Sequence, residues 1–185
     1  MTVEVAGRSL HLIGVHVKSK APHGARTPAD HTRIALENRR KQIAQCRWIR
    51  ARVEDHLDAG HDLIVLGDFN DGPGLDDYEA EFGVSGVEVV MGPATPPGRH
   101  LTDPHARMAL IQRIGLVPTT SRFWLASERR YFEALLDFIM LSQGLCATAP
   151  RWRIWHPFND PDSEALRDAL LSASDHFPVT LDFDV

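Results

Sequence analysis

The stretch HDLIVLGDFNDGPG, residues 61–74, runs from an apolar segment directly into acids and an amide. Its apolar part, residues 63–66, has no polar alternation, which predicts a short strand covered on both faces. Because side chains alternate along an extended chain, Asp68 and Asn70 are expected on one side and Phe69 in the core. Taken alone, GDFND fits a turn as well as a site, since Asp and Asn often form turn hydrogen bonds.

Around this strand the apolar periodicity predicts a mixed α and β chain. Strands are predicted at 2–5, 9–18, 63–66, near 86–91, 134–141, 151–157 and 178–185. Helices are predicted at 31–59, near 76–82, near 104–114 and at 163–171. The elements do not follow a strict βαβ alternation and show no internal repeat, so one layered α/β domain over 1–185 is expected.

Composition and charge narrow the class of protein. The chain has 185 residues, 43% hydrophobic and 24% charged, which is enough for one substantial core. No apolar run reaches the roughly 18 residues of a membrane-spanning helix, and residues 1–10 show no signal peptide. The cellular location stays unknown, with a cytoplasmic one slightly favoured. The net charge of -5 gives no general electrostatic surface for nucleic acid, although a local basic patch stays compatible with it.

Cysteine and histidine usage gives little reason to expect a zinc site. Cys46 and Cys146 are far apart and form no C-x-x-C unit, which favours two reduced thiols. There are ten histidines but no H-E-x-x-H motif, and His100 and His105 lack cysteines at zinc-ligand spacing. Most of the histidines are therefore expected at the surface.

Asp137 interrupts the apolar run ALLDFIML, residues 134–141. An unpaired charge among apolar neighbours is costly, so this carboxylate requires a partner. His176, in SASDHFPV at 172–179, is the candidate, because an Asp–His pair fixes the imidazole tautomer and favours its protonated form. A purely structural Asp–His pair is the alternative.

His16 and Lys18 lie two residues apart in GVHVKS and are expected on one face of a strand. Together they could donate protons to an anionic group or neutralise its charge. An exposed strand end also carries such residues for solubility alone, so this pair by itself does not indicate a site.

Four motifs, VHVKS (15–19), VLGDFND (65–71), LLDFIM (135–140) and SDHFPV (174–179), occur in this order. Together they resemble the later motifs of the endonuclease/exonuclease/phosphatase, or DNase I-like, superfamily. The resemblance extends from about residue 10 to the C-terminus. It implies a four-layered α/β sandwich with two central sheets, and hydrolysis of a phosphate ester that depends on Mg²⁺ or Mn²⁺.

The resemblance also implies roles for individual residues. Asp68 matches the acid that orients or deprotonates the attacking water, and Asn70 matches the amide that contacts the phosphoryl group. His176 matches the histidine that stabilises the phosphate in the transition state, and Asp137 the acid that orients it. Such roles suit phosphoryl transfer, in which positioning and charge neutralisation supply most of the catalysis.

Three further positions complete the implied site. Asp175 matches a carboxylate at or near the metal, which it would share with Asp68. His16 matches the histidine often proposed as general acid toward the leaving oxygen. Lys18, beside it, is expected to contact the anionic substrate.

Two features of the family have no counterpart in this sequence. A strand that ends in asparagine and a strand that carries the metal-binding glutamate should both precede His16, and Glu4 lies in a polar hairpin. The chain thus resembles the last two thirds of the domain. We expect weak metal binding, little activity by itself, and association with a missing N-terminal segment or a second chain. The alternative is a non-catalytic protein that binds a phosphate ligand.

The substrate stays open at this point. DNA, RNA, a nucleotide, a lipid headgroup and an inositol phosphate all carry a suitable phosphate ester. Trp124, Trp152 and Trp155 could stack on a base, but aromatic side chains in strand-rich regions are more often part of the core.

Overall fold

The computed structural model describes residues 1–72, 81–111, 118–126 and 128–184, and these form a mixed α and β structure. The strands are β1 (Thr2–Val5), β2 (Arg8–His16), β3 (Asp62–Asp68), β4 (Ser121–Leu125), β5 (Arg130–Ala134), β6 (Asp137–Leu141), β7 (Arg151–Ile154) and β8 (Val179–Asp182). The α-helices are α1 (Pro28–Asp58), α2 (Gly86–Met91), α3 (Pro104–Ile111), α4 (Gln143–Cys146) and α5 (Arg167–Ala173). Short 3₁₀ helices span Pro97–Arg99 and Pro161–Leu166.

The central sheet has the strand order β1-β2-β3-β6. Strand β2 runs parallel to β3 and antiparallel to β1, and β6 runs antiparallel to β3. In this register His16 lies opposite Asp68, and Asp68 lies opposite Asp137. Three polar residues thus form a row across one edge of the sheet. The pairs β4-β5 and β7-β8 form two separate two-stranded antiparallel sheets.

Helix α1 connects the parallel strands β2 and β3 and covers one face of the sheet. It begins where the side chain of Thr27 accepts a hydrogen bond from the backbone of Asp30, and Pro28 occupies a first-turn position, where no amide donor is needed. Its core-facing residues include Cys46 and Val53, which are fully buried. The helix was predicted at 31–59, and the prediction is confirmed within three residues at each end.

Strand β3, which contains the apolar run 63–66, is buried on both faces, as its lack of alternation predicted. Leu63 and Val65 pack against α1 and α2 in a core that includes Phe69 and Phe138. On the opposite face, Ile64 packs in a cluster with Leu141, Leu145 and residues of the β7-β8 sheet such as Trp152. The apolar run is therefore explained by a helical layer on one side and the β7-β8 sheet on the other.

Several predicted elements are corrected by the structure. The segment predicted as a strand near 86–91 is helix α2, because Ser85 and Glu88 form a reciprocal capping box at its start. The predicted strand 134–141 divides at 135–136 into β5 and β6, and the β4-β5 hairpin was not predicted. The predicted helix near 76–82 and the end of the one near 104–114 fall largely on residues outside the described ranges.

The predicted C-terminal elements differ in extent. The strand predicted at 151–157 ends at Ile154, and the one predicted at 178–185 is β8. The helix predicted at 163–171 is a 3₁₀ turn followed by α5. Among the helices of the described ranges, none combines the length and apolar character that crossing a bilayer requires.

Gly67 permits the close approach of β3 to β2 just before Asp68. Its φ is +134°, and a Cβ there would lie 2.1 Å from the carbonyl oxygen of Val15. We expect Gly67→Ala to lower the free energy of unfolding by about 2 kcal/mol or more, through backbone strain and the clash. Urea denaturation measures this. Gly14→Ala is the control on the neighbouring strand, because a Cβ there meets nothing within 4 Å. Equal effects of the two substitutions would contradict the close-approach argument.

Candidate phosphoryl-transfer site

Three ionisable residues from separate parts of the chain converge at the edge of the central sheet. Asp68 ends β3, Asp137 begins β6, and His176 precedes β8. One potential ligand atom from each lies within 4.8 Å of the others. All three side chains are half-buried, so they face a common space that solvent can reach.

Asn70 fixes the orientation of the Asp68 carboxylate. Its backbone N–H donates to Oδ1 of Asp68 at 2.7 Å, and its side-chain Nδ2 donates to Oδ2 at 2.7 Å. Nδ2 also donates to the carbonyl of Val17 at 3.1 Å. Asn70 has φ of +49°, in the left-handed region that asparagine tolerates better than most residues. The turn expected for GDFND is therefore present, and its hydrogen bonds hold the Asp68 carboxylate in place.

Asp137 orients His176. Nδ1 of His176 lies 2.9 Å from Oδ2 of Asp137, which assigns the proton of a neutral imidazole to Nδ1 and leaves Nε2 toward the open side. The same Oδ2 accepts a hydrogen bond from the hydroxyl of Thr120 at 2.8 Å. This carboxylate is thus satisfied within the protein, as its position in an apolar run required.

Thr120 is a supporting residue that the sequence did not identify. Its buried hydroxyl accepts the backbone N–H groups of Leu136 and Asp137, each at 3.0 Å. Its carbonyl accepts the N–H of Phe177 at 2.7 Å, which ties the His176 segment to the sheet. One residue therefore anchors both members of the Asp–His pair. In the sequence, Thr120 lies in the stretch TTSR, residues 119–122, just before strand β4, which was not predicted. Nothing in that stretch indicates a role in a site.

Asp68 and His176 differ in the sign of their charge, and their surroundings raise the pKa of both. Burial raises the pKa of Asp68, and the nearby charge of Asp137 raises it further, against the effect of the Asn70 hydrogen bond. The hydrogen bond that His176 donates to Asp137 raises the pKa of His176, and the charges of Asp68 and Asp175 act in the same direction. A basic carboxylate therefore lies beside an imidazole that is readily protonated.

The other sequence-predicted residues lie at different distances from this centre. His16 places Nε2 3.5 Å from Oδ2 of Asp68, and its side chain is 80% exposed. Lys18 is half-buried, and its backbone N–H donates to Oε1 of Gln45 at 2.8 Å. Asp175 is exposed and is not part of the Asp68 ligand group, although it acts electrostatically on His176.

The donor set suits a hard divalent cation. Asp68 and Asp137 supply carboxylate oxygens, which Mg²⁺ and Mn²⁺ prefer, and the remaining coordination positions can be filled by water and phosphate. Two acids this close together also benefit from a positive counter-charge. In the described ranges, however, the group contains no glutamate.

Asp71, which is fully buried, forms a second charge network behind the site. Its Oδ1 lies 2.6 Å from Nζ of Lys20, and its Oδ2 lies 2.7 Å from Nη1 of Arg39. The backbone N–H of Gly86 also donates to this carboxylate. Asp71, Arg39 and the Gly86 backbone hold the turn after Asn70 against α1 and α2. From the sequence, Asp71 was expected only to form a turn, because its partners lie far away in the chain.

The three tryptophans considered as stacking residues differ in environment. Trp124 is 53% exposed and packs edge-on against Tyr131. Trp152 and Trp155 are half-buried and donate to Ile139 O and to Thr180 Oγ1 respectively. The last two are therefore structural, and Trp124 is the one of the three with an exposed ring.

A scan of the chain against protein-family models finds no match, and a search among curated proteins finds no relative. The resemblance to the endonuclease/exonuclease/phosphatase superfamily therefore rests on the four motifs and their order.

We expect Asp137→Asn to lower the pKa of His176 toward its ordinary value, since the hydrogen bond to the carboxylate is the main cause of the increase. Histidine NMR titration measures this. The pair stabilises the fold fully below the unfolded-state histidine pKa of about 6.5, and the contribution is lost as pH rises through the higher folded-state pKa. A His176 pKa that does not change in Asp137→Asn would contradict the pairing.

We expect Asp71→Ala to lower the free energy of unfolding by about 3–5 kcal/mol, because it leaves the buried guanidinium of Arg39 without its counter-charge. The control is Asp55→Ala, which removes an exposed ion pair with Arg52 and should cost about 1 kcal/mol or less. Chemical denaturation of both variants measures the difference. A loss below 1 kcal/mol for Asp71→Ala would show that the network is not needed.

Proposed function

We propose that this protein is a divalent-metal-dependent phosphoesterase that hydrolyses a phosphate ester by in-line attack of an activated water. The observation that carries the proposal is the convergence of Asp68, Asp137 and His176 from three separate segments, with Asp68 oriented by Asn70. The four-motif resemblance supports the same reaction and, with it, the proposal of a four-layered α/β sandwich of the DNase I-like type.

Asp68 is proposed to orient and deprotonate the attacking water. Asn70 donates hydrogen bonds to both oxygens of this carboxylate and so holds it in a fixed orientation. Asn70 uses both N–H groups of its amide on Asp68 and Val17. A contact from this amide to the phosphoryl group would therefore require one of these bonds to open, so we assign Asn70 first to positioning Asp68.

His176 is proposed to stabilise the negative charge that develops on the phosphoryl oxygens. The hydrogen bond to Asp137 leaves its Nε2 available, and the raised pKa favours the imidazolium form that can donate there. His16 is close to Asp68 yet well exposed, so it is placed to protonate a leaving oxygen that enters from solvent. Lys18 is retained as a candidate substrate contact.

The proposed cofactor is Mg²⁺ or Mn²⁺, held by Asp68 and Asp137, with Asp175 as an outer carboxylate. A bound ion supplies positive charge to the phosphoryl oxygens. Because the carboxylates of the described ranges give no glutamate ligand here, we expect weak metal affinity and low turnover from the 185-residue chain.

The second candidate function is phosphate-ligand binding without catalysis. The lack of a glutamate in the described part of the site is the observation that favours it. The two acids argue against it, because a pocket that only binds an anion gains nothing from carboxylates beside the ligand. Nucleic acid, a nucleotide, a lipid headgroup and an inositol phosphate all carry a phosphate ester of the kind that this reaction cleaves.

We expect Asp68→Asn to reduce metal-dependent hydrolysis of bis(p-nitrophenyl) phosphate by about 10²–10⁴-fold, the usual contribution of a positioned acid or base. Hydrolysis is measured with Mn²⁺ and with a chelator, and circular dichroism checks folding. The control is Asp168→Asn, an exposed acid on α5, which should leave the rate unchanged. A loss of less than about tenfold would contradict water activation. Binding of inorganic phosphate in calorimetry, without metal-dependent hydrolysis, would favour the second function.

A further inference from the structure

Three histidines form a second cluster at the opposite end of the central strands from Asp68. His11 lies on β2, His56 in the last turn of α1, and His61 just before β3. One ring nitrogen from each lies within 4.8 Å of the others, and all three are half-buried. His11 and His16 are five residues apart on one strand, about 16 Å along it, so this cluster is separate from the phosphoryl-transfer site.

The end of α1 places His56 and His61 side by side. The N–H of His61 donates to the carbonyl of His56 at 3.0 Å, and the N–H of Gly60 donates to the carbonyl of Leu57 at 3.1 Å. These two bonds and the φ of +70° at Gly60 form a Schellman motif. As a result the Nδ1 atoms of His56 and His61 are 3.0 Å apart. Two of the three imidazoles are therefore positioned by backbone geometry.

The sheet supplies the third imidazole. His11 pairs with Thr2 of β1 and with Leu63 of β3, which fixes its place on β2. Its ring stacks on that of His61 with centroids 3.9 Å apart and an interplanar angle of 9°. The His56 ring is tilted against both, at 5.0 Å from His11 and 5.3 Å from His61. Strand β2, the last turn of α1 and the residue before β3 thus each bring one imidazole to the same place.

We propose that His11, His56 and His61 bind one Zn²⁺ ion, with solvent in the fourth coordination position. Zinc takes imidazole ligands at about 2.0–2.1 Å, so tetrahedral ligand nitrogens are about 3.3 Å apart. The His56–His61 separation is within a few tenths of an ångström of this value. The stacked His11 ring must rotate away from His61 to join them. Nitrogen donors also select Zn²⁺ over Mg²⁺, which prefers oxygen.

The charge around the three histidines limits the affinity for Zn²⁺. The positive charge of Arg52 acts on His56 and opposes a cation. The ion would link the end of α1, the start of β3 and strand β2. Because it binds the folded chain, its expected effect is to raise the unfolding temperature.

Calorimetric titration of the full chain with Zn²⁺, in excess Mg²⁺ to fill oxygen-rich sites, tests the proposal. We expect one Zn²⁺ per chain and a zinc-dependent rise in unfolding temperature. His61→Gln and His11→Gln should each weaken binding by more than tenfold, at least as much as loss of a supporting group does in known metal sites. Two control variants should bind as the wild type does: His31→Gln, exposed near the other end of α1, and His176→Gln in the phosphoryl-transfer site.

The outcomes separate this site from the proposed phosphoesterase function. Loss of Zn²⁺ binding in His176→Gln but not in His61→Gln would overturn the proposal and assign the ion to the other site. Absence of binding in the folded wild-type chain would also overturn it, whatever the hydrolysis assay shows. Because His11→Gln and His61→Gln change different elements, failure of one variant to fold leaves the other as the test.

Discussion

The register of β3 between β2 and β6 determines which polar side chains meet at the edge of the central sheet. A shift by one residue would turn Asp68 toward the core and bring Phe69 to the surface. Gly67 allows this register, because its backbone approaches the carbonyl of Val15 too closely for any Cβ. The apolar residues on both faces then fix it, since Val65 and Ile64 each have a packed layer to fill.

The polar end of this sheet is stable because almost every buried charge has a partner. Asp71 is neutralised by Lys20 and Arg39, and Asp137 is satisfied by Thr120 and His176. Asp68 differs from them. Its hydrogen bonds come from a neutral amide and a backbone N–H, and burial leaves its pKa raised. The least compensated acid therefore lies where the space is open to solvent, which is the arrangement expected of a functional group rather than a structural one.

The two ends of β3 carry donors of different chemistry. At its C-terminal end, carboxylate oxygens of Asp68 and Asp137 suit a hard cation. Before its start, the imidazoles of His56 and His61 suit a softer ion. The sheet keeps the two groups apart along the strand direction, so each can be changed without removing a ligand from the other. The connection between them is strand β3 itself, which α1 covers along one face.

The sequence by itself determined the elements and chemistry that depend on near neighbours. The apolar run 63–66, the long helix that stops at Gly60, and the need of Asp137 for a partner all follow from local pattern. Local pattern failed at 86–91, where a capping box outweighed the strand-like GVEVVM, and at β4-β5, where alternation was weak. Only the tertiary structure decided what depends on distant pairing. Thr120 supports Asp137, Arg39 neutralises Asp71, and His11 joins His56 and His61 because strand pairing and helix packing bring them together across long separations in the chain.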